Sequence, residues 1–542
     1  MNYINNSDLG FIDKIISEQK LNGLTTINTC FQPEPYSCLH IGSLKTIWIE
    51  YSIAQKHHGH FFLRFEDTEP YIGQENNVKE IINDLIWLGM EPDRVTFSSD
   101  YFDQCFKFGI KLIESGVAYV DDLTKEQVKN RKGDYYKSGE NSPFRDRSID
   151  ENLFLFTNMR NGLFESGTKT LRLKIDMTSA NMYMRDPIIY RTVKEKHQRT
   201  KDKWCIYPTY LFSNPVVNAI EGITHSFSTL EYSGLNPLYD WIIQHIDAKM
   251  ETKQYEISKL SIKYNLTNRL KIKELVDNKM VDGFDDPRLL TISGLRRRGY
   301  TPQSLINFLQ SAGVSKNDVE FEYKQLQRYV IKEYNASAKR RIAIKNPLEV
   351  VITNLSDDYY ELMEFENNPA DASQGTRKLP FTNRLFIERD DFAEIPEGDF
   401  RGLCLNGKVK LINSYIISCH SINKRKDGSV EKIYCSYEPA DSYDKKQLGS
   451  IHWLSKENAR SINMIFYDDC LLTCESARRL LGNEIVCFYN EKSLIKYSSS
   501  VMEKSLIDSI PREVIQFVRI GFFICDNEKY ICVAPLNGNR KV

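Results

Sequence analysis

Between residues 24 and 116 short apolar runs alternate with helically spaced ones, and few folds accept that alternation. Residues 26–31 and 61–65 read as strands, while Leu44, Ile47, Trp48 and Tyr51, then Ile81, Ile82, Leu85, Ile86 and Leu88, mark helix faces. Strand, helix and strand in succession predict a parallel βαβ layout with its ligand site at the carboxyl ends of the strands. The turn after the first strand reads Thr29-Cys30-Phe31-Gln32-Pro33-Glu34-Pro35, then Leu39-His40-Ile41-Gly42-Ser43. Two prolines fix the approach and Gly42 permits close backbone contact with a ligand. The helix that follows would turn its free N–H groups and positive dipole end toward a phosphate, with the His40 imidazole as an added donor.

A chain of 542 residues exceeds one core and predicts three or four domains. The boundaries are expected at 1–116 and 215–260 for the two halves of a nucleotide-binding domain, with 117–214 inserted between them. Ala219 to Ser226 reads as the return to the sheet, followed by a helix over 238–246, and residues 221–225 are expected beside residues 33–42 on one cleft. A helical subdomain spans 261–338, with Arg296-Arg297-Arg298 read as an exposed helix face. From 339 to 542 the texture is all-β: runs at 348–353, 385–388, 409–418 and 432–437 separated by polar turns predict one or two β-barrels.

Lysine plus arginine (72) nearly balances aspartate plus glutamate (73), so any nucleic-acid surface must be a local patch. The N-terminal segment has no signal-like apolar core and no apolar run approaches a membrane span, which predicts a cytoplasmic protein without a membrane partner. Twelve cysteines include no Cys-x-x-Cys pair, and Cys470 and Cys474 lack a second ligand pair, so buried thiols are expected rather than zinc. His57, His58 and His60 read as a solvated turn.

Specific stretches point to a family. Pro33-Glu34-Pro35, Lys203 to Pro208, Glu221 to Ser226, Asp285-Asp286-Pro287-Arg288 and Thr291 to Tyr300 resemble glutaminyl-tRNA synthetases of class I, and the resemblance runs from about Asn28 to Asp526. It implies an α/β plus all-β protein: a Rossmann-like catalytic domain with an acceptor-binding insertion, a helical connecting subdomain, and C-terminal β-barrel anticodon-binding domains. The implied substrates are ATP with Mg²⁺, glutamine and tRNA, and the implied state is a monomer. By resemblance His40, Ser43 and Arg269 are the catalytic positions. Pro33, Glu34, Pro35, His40, Gly42, Thr229, Lys259, Leu260, Thr267, Asn268 and Arg269 border ATP. Cys30, Glu66 and Tyr210 line the amino-acid pocket, and Arg340, Gln516 and Arg519 meet anticodon bases. No protein-borne metal ligand is implied.

The chain departs from the family pattern where the chemistry is performed. Ser43 replaces a second histidine, Thr267-Asn268-Arg269 stands for Met-Ser-Lys, and Cys30 stands for a pocket arginine. Leu211 and Asn214 replace an acid and a histidine, Glu66 reaches one methylene further than the usual acid, and Ser233-Gly234-Leu235-Asn236 brings no charge to the acceptor-reading loop. Three functions fit these residues: a glutamine–tRNA ligase, a synthetase-derived paralogue that binds tRNA or nucleotide but has lost adenylation, or a ligase for another amino acid or a non-tRNA acceptor.

Overall fold

The computed structural model describes residues 9–36, 38–70, 77–246, 252–439, 448–471, 489–506 and 512–536. Cys474 lies outside them. Two compact units divide the chain, Met1–Ser261 with Leu309–Glu320, and Ile262–Phe308 with Phe321–Val542.

The first unit runs α1 (Phe11–Leu21), β1 (Asn28–Phe31), α2 (Ile41–Lys56), β2 (His60–Phe65), α3 (Val78–Trp87), β3 (Arg94–Phe97) and α4 (Phe102–Glu114). The inserted stretch carries β4 (Ala118–Asp121), α5 (Lys125–Lys132), α6 (Ile149–Arg160), β5 (Thr170–Leu173), β6 (Ile188–Thr192) and β7 (Ile206–Pro208). The chain continues with α7 (Tyr210–Glu221), β8 (His225–Thr229), α8 (Asn236–His245) and β9 (Lys253–Ile257). Strands on both sides of the insertion join one sheet in the order β3-β2-β1-β8-β9, and every pairing is parallel. The insertion forms its own four-stranded antiparallel sheet, β4-β5-β6-β7.

Helix α2 is buried around most of its circumference, with Leu44, Ile47, Trp48, Ile49 and Ile53 inside, as expected of a helix that covers a sheet at the centre of a unit. Gly222 ends α7 in the left-handed region (φ 71°), where a glycine avoids a Cβ clash, and the chain turns directly into β8. Thr29 faces His225 across the β1–β8 pair, so residues 221–225 sit at the amino end of β8. The expectation that they share a cleft with residues 33–42 is therefore corrected: in parallel strands the turn after β1 keeps company with the far end of β8.

The second unit opens with α9 (Arg269–Asp277) and α10 (Ile292–Arg298), adds a 15-residue helix over Tyr323–Ser337, and then turns to β-structure. Two seven-stranded, barrel-like sheets follow, one from 347–455 and one combining 339–344 with 459–535, around separate apolar cores. The reading of Arg296-Arg297-Arg298 as an exposed face fails. Arg298 is buried between the rings of Tyr323 and Tyr467 and donates to the carbonyls of Pro287 and Tyr467. Arg297 pairs with Asp526 at 2.9 Å and Asp285 at 3.3 Å. Arg297 and Arg298 fasten α10 to the β-structure because their guanidinium groups meet acceptors brought from distant sequence, Asp526 and the Tyr467 carbonyl. Among the described residues no helix is long and apolar enough to cross a membrane.

Candidate nucleotide and amino-acid site

The start of α2 is built by its own side chains. His40 caps the helix, its Nδ1 accepting the Ser43 N–H at 3.2 Å, while the Ser43 hydroxyl accepts the His40 N–H at 3.0 Å. This closed capping box gives Ser43 a structural task. Because Nδ1 accepts, the ring proton of neutral His40 sits on Nε2 and can be donated outward. Burial, with Lys259 second, lowers the imidazole to about 4, so it is neutral at physiological pH. A Cβ on Gly42 would stand 3.0 Å from His40 Nδ1 and 3.4 Å from the Leu260 carbonyl. Glycine at 42 thus admits the capping imidazole and the 258–260 loop. Buried Lys45 donates to Ser258 at 2.6 Å, and the Lys259 N–H donates to Asp318 at 2.8 Å, holding that loop against α2.

A cavity of about 580 Å³ opens among residues that follow the carboxyl ends of β1, β2 and β8 and the first turns of α7. Gln32, Glu34, Glu66, Tyr210, Asn214, Ser228 and Gln254 are among its lining residues. Its carboxylates are Glu34, Glu66 and Glu69, and its one guanidinium, Arg191, pairs with Glu69 at 3.1 Å. The balance suits a ligand with an ammonium group and no second net negative charge.

Beneath the cavity floor lies Arg64, fully buried in β2. It pairs with buried Glu221 at 2.7 Å, and its Nη2 reaches Oδ1 of both Asn214 (3.1 Å) and Asn218 (2.8 Å) on one face of α7. Glu221 also accepts from Thr96 and Tyr101, which satisfies the carboxylate. The two asparagines then donate from Nδ2 to phenols, Asn214 to Tyr210 at 3.1 Å and Asn218 to Tyr239 at 2.9 Å. Two sequence signals for this network exist: a charged residue inside the apolar strand Phe61-Phe62-Leu63-Arg64-Phe65, and polar residues at 210, 214 and 218 in helical register. Their connection spans some 150 residues, which no local pattern reveals.

Glu66 follows β2 and accepts from Thr68, from Ser98 at 2.8 Å and from Ser213 at 3.5 Å. Burial raises its carboxyl above the usual range even so. Cys30 lies in β1, packed with Phe62 and Ile223, and burial pushes its thiol up to about 12. It is not among the cavity-lining residues, whereas Glu66 and Tyr210 are.

The sequence pattern of tRNA synthetases class I (E and Q), catalytic domain, matches residues 26–336. The anticodon-binding domain patterns of the same class match 338–438 and 450–526. The chain belongs to this family. A glutamine–tRNA ligase of Clostridium kluyveri is 39% identical over 97% of this chain and 95% of its own length. Those of Aliivibrio salmonicida and Vibrio cholerae are each 40% identical over 96% of this chain and 94% of theirs. Among solved structures, a glutamate tRNA ligase from Elizabethkingia meningosepticum overlays 57% of this chain and 70% of its own at 17% identity and TM-score 0.42.

The remaining synthetase positions fall in two places. In the first unit, Pro33 accepts the Glu66 N–H at 2.9 Å and Pro35 accepts that of Asn77, which ties the turn after β1 to the turn after β2. Thr229 ends β8 and donates to Glu231, which stands 3.8 Å from Lys259. In the loop over 233–236, Gly234 packs on the Tyr183 ring and its carbonyl accepts from Asn181 at 2.7 Å. Thr267, Asn268 and Arg269 belong to the second unit, where Asn268 caps α9 by accepting the Lys271 N–H and Arg269 is the first helical residue. Arg340 and Gln516 lie directly opposite each other on paired parallel strands, and Gln516 Oε1 is buried without a partner among the described residues. Arg519 forms a two-pronged pair with Asp391 at 2.6 and 2.9 Å and also reaches His452.

Proposed function

We propose that the chain is a glutamine–tRNA ligase. The glutamine carboxylate attacks the α-phosphate of ATP, releasing pyrophosphate, and the terminal ribose hydroxyl of tRNA then displaces AMP from the glutaminyl-adenylate. The carrying observation is near-full-length similarity to glutamine–tRNA ligases, joined to a cavity at the carboxyl ends of a parallel sheet beside a capped helix N-terminus. Such chemistry needs positioning and charge stabilisation rather than a protein nucleophile.

In this reading the N–H groups of α2 and the Nε2–H of neutral His40 face the phosphates, and Pro33, Glu34, Pro35, Gly42, Thr229, Lys259 and Leu260 border the nucleotide. Thr267, Asn268 and Arg269 supply the second signature, with the guanidinium in the lysine's place. Mg²⁺ enters as part of the ATP substrate, held by phosphate oxygens and water; among the described residues no three His, Cys, Asp or Glu side chains gather as a metal cage. Glu66 receives the substrate ammonium, and burial makes its carboxylate a strong partner once that cation enters. The insertion over 117–214 holds the acceptor end, and Arg340, Gln516 and Arg519 meet the anticodon. A cytoplasmic monomer follows from the substrates and the chain's resemblance.

Glutamine-dependent pyrophosphate exchange, measured with ATP and tRNA saturating, tests the proposal. Exchange that needs glutamine and tRNA supports it. No exchange together with retained tRNA binding would replace it with the binding paralogue.

A further inference from the structure

Two effects oppose a lysine at position 45. It is the fifth residue of α2, close to the positive end of the helix dipole, and it is only 5% exposed, so dipole and burial both work against its charge. Burial lowers the ammonium below its ordinary range, with the Asp318 carboxylate opposing that shift. Residues that break the local rules of a helix in this way are expected where a site needs them.

The ammonium holds a segment brought from far along the chain. Lys45 Nζ donates to the buried Ser258 Oγ at 2.6 Å. Ser258 is tied in turn to residues 315–318: its N–H donates to the Ser315 carbonyl at 2.9 Å, and its hydroxyl lies 3.3 Å from that of Ser315. The next N–H, that of Lys259, donates to Asp318 at 2.8 Å. All of these residues belong to the first unit, to which the chain returns over Leu309–Glu320. Segment 258–260 is therefore gripped from two sides, by α2 through Lys45 and by 315–318. The grip sets what lies in front of the helix start. The Leu260 carbonyl stands 3.4 Å from the place of a Cβ on Gly42, and the Lys259 charge is near enough to His40 to help lower its imidazole. The Lys259 ammonium is half-exposed and lies 3.8 Å from Glu231, beyond hydrogen-bonding distance.

We infer that Lys45 is a positioning residue for the nucleotide: through Ser258 it fixes segment 258–260 so that Lys259 directs its ammonium toward phosphates in front of α2. Lys45 itself does not touch the ligand. The inference deepens the ligase reading and rests on it for the placement of ATP beside Lys259.

Calorimetric titration of the full-length protein with ATP and Mg²⁺ tests this in Lys45→Met, Lys259→Ala and the double variant. Methionine keeps most of the stem and removes the ammonium. Each single change should raise the ATP Kd about tenfold, as expected for one charge-assisted hydrogen bond. Because Lys45 acts through Lys259, the double variant should be within about twofold of Lys259→Ala alone. A merely structural role predicts no coupling, and the losses would then multiply to about a hundredfold. Ser258→Ala opens the same clasp from its other side and should show the same coupling to Lys259→Ala, which keeps the test available if Lys45→Met does not fold. Multiplying losses, or native ATP affinity in both clasp variants, would overturn the inference and leave the ligase reading standing. Unchanged affinity in Lys259→Ala, or no ATP binding by the native protein, would overturn the inference together with the nucleotide placement it rests on.

Discussion

Arg64→Met is the perturbation that most directly tests how the first unit is held together. Methionine keeps much of the volume but removes the charge that faces Glu221 at 2.7 Å, with both side chains almost wholly buried. Breaking one side of such a pair costs about 3–5 kcal/mol, because the remaining carboxylate loses the cation buried with it. Thr96 and Tyr101 still donate to Glu221, and Arg94 stands 3.7 Å from it, which argues for the lower half of that range. For a unit of this size the loss corresponds to a fall in Tm of roughly 6–15 °C. Tryptophan fluorescence is a suitable probe, since Trp48, Trp87, Trp204 and Trp241 lie in the first unit and only Trp453 of the five lies in the second. A loss below about 1 kcal/mol would refute the account of Arg64 as the hub.

Gly42→Ala should leave global stability within about 1 kcal/mol, since the helix-propensity gain offsets the disturbed cap, yet raise the Kd for ATP severalfold because the Cβ displaces the His40 ring; unchanged ATP affinity with a large stability loss would contradict this. His40→Asn keeps a capping acceptor but cannot titrate. The native protein should lose up to about 3 kcal/mol as pH falls from 6.5 toward 4, because a folded pKa of about 4 opposes protonation that the unfolded chain accepts, and denaturation curves across that window should show a shallower slope in the variant. Arg298→Ala should destabilise the second unit alone by about 3 kcal/mol, seen as one shifted calorimetric transition; loss of tRNA binding without any shift would contradict this structural role.

Local spacing in the sequence determined the parallel β/α core, the prolines and glycine that shape the turn before α2, and the all-β second half, since period, turn chemistry and strand composition act over a few residues. The same stretches identified the family. Residue-level roles were less accessible. Ser43 stands where the family pattern puts a histidine, but only the folded helix start shows it engaged in a capping box. Arg298 sits in a run of three arginines that looks solvent-facing until aromatic rings from residues 323 and 467 close over it. Asn214 registers as a departure from a motif, whereas its orientation is dictated by Arg64, 150 residues earlier. Tertiary structure decided these points because a hydrogen-bond donor acquires its meaning from the acceptor beside it, and here the acceptors come from elements far away in the chain.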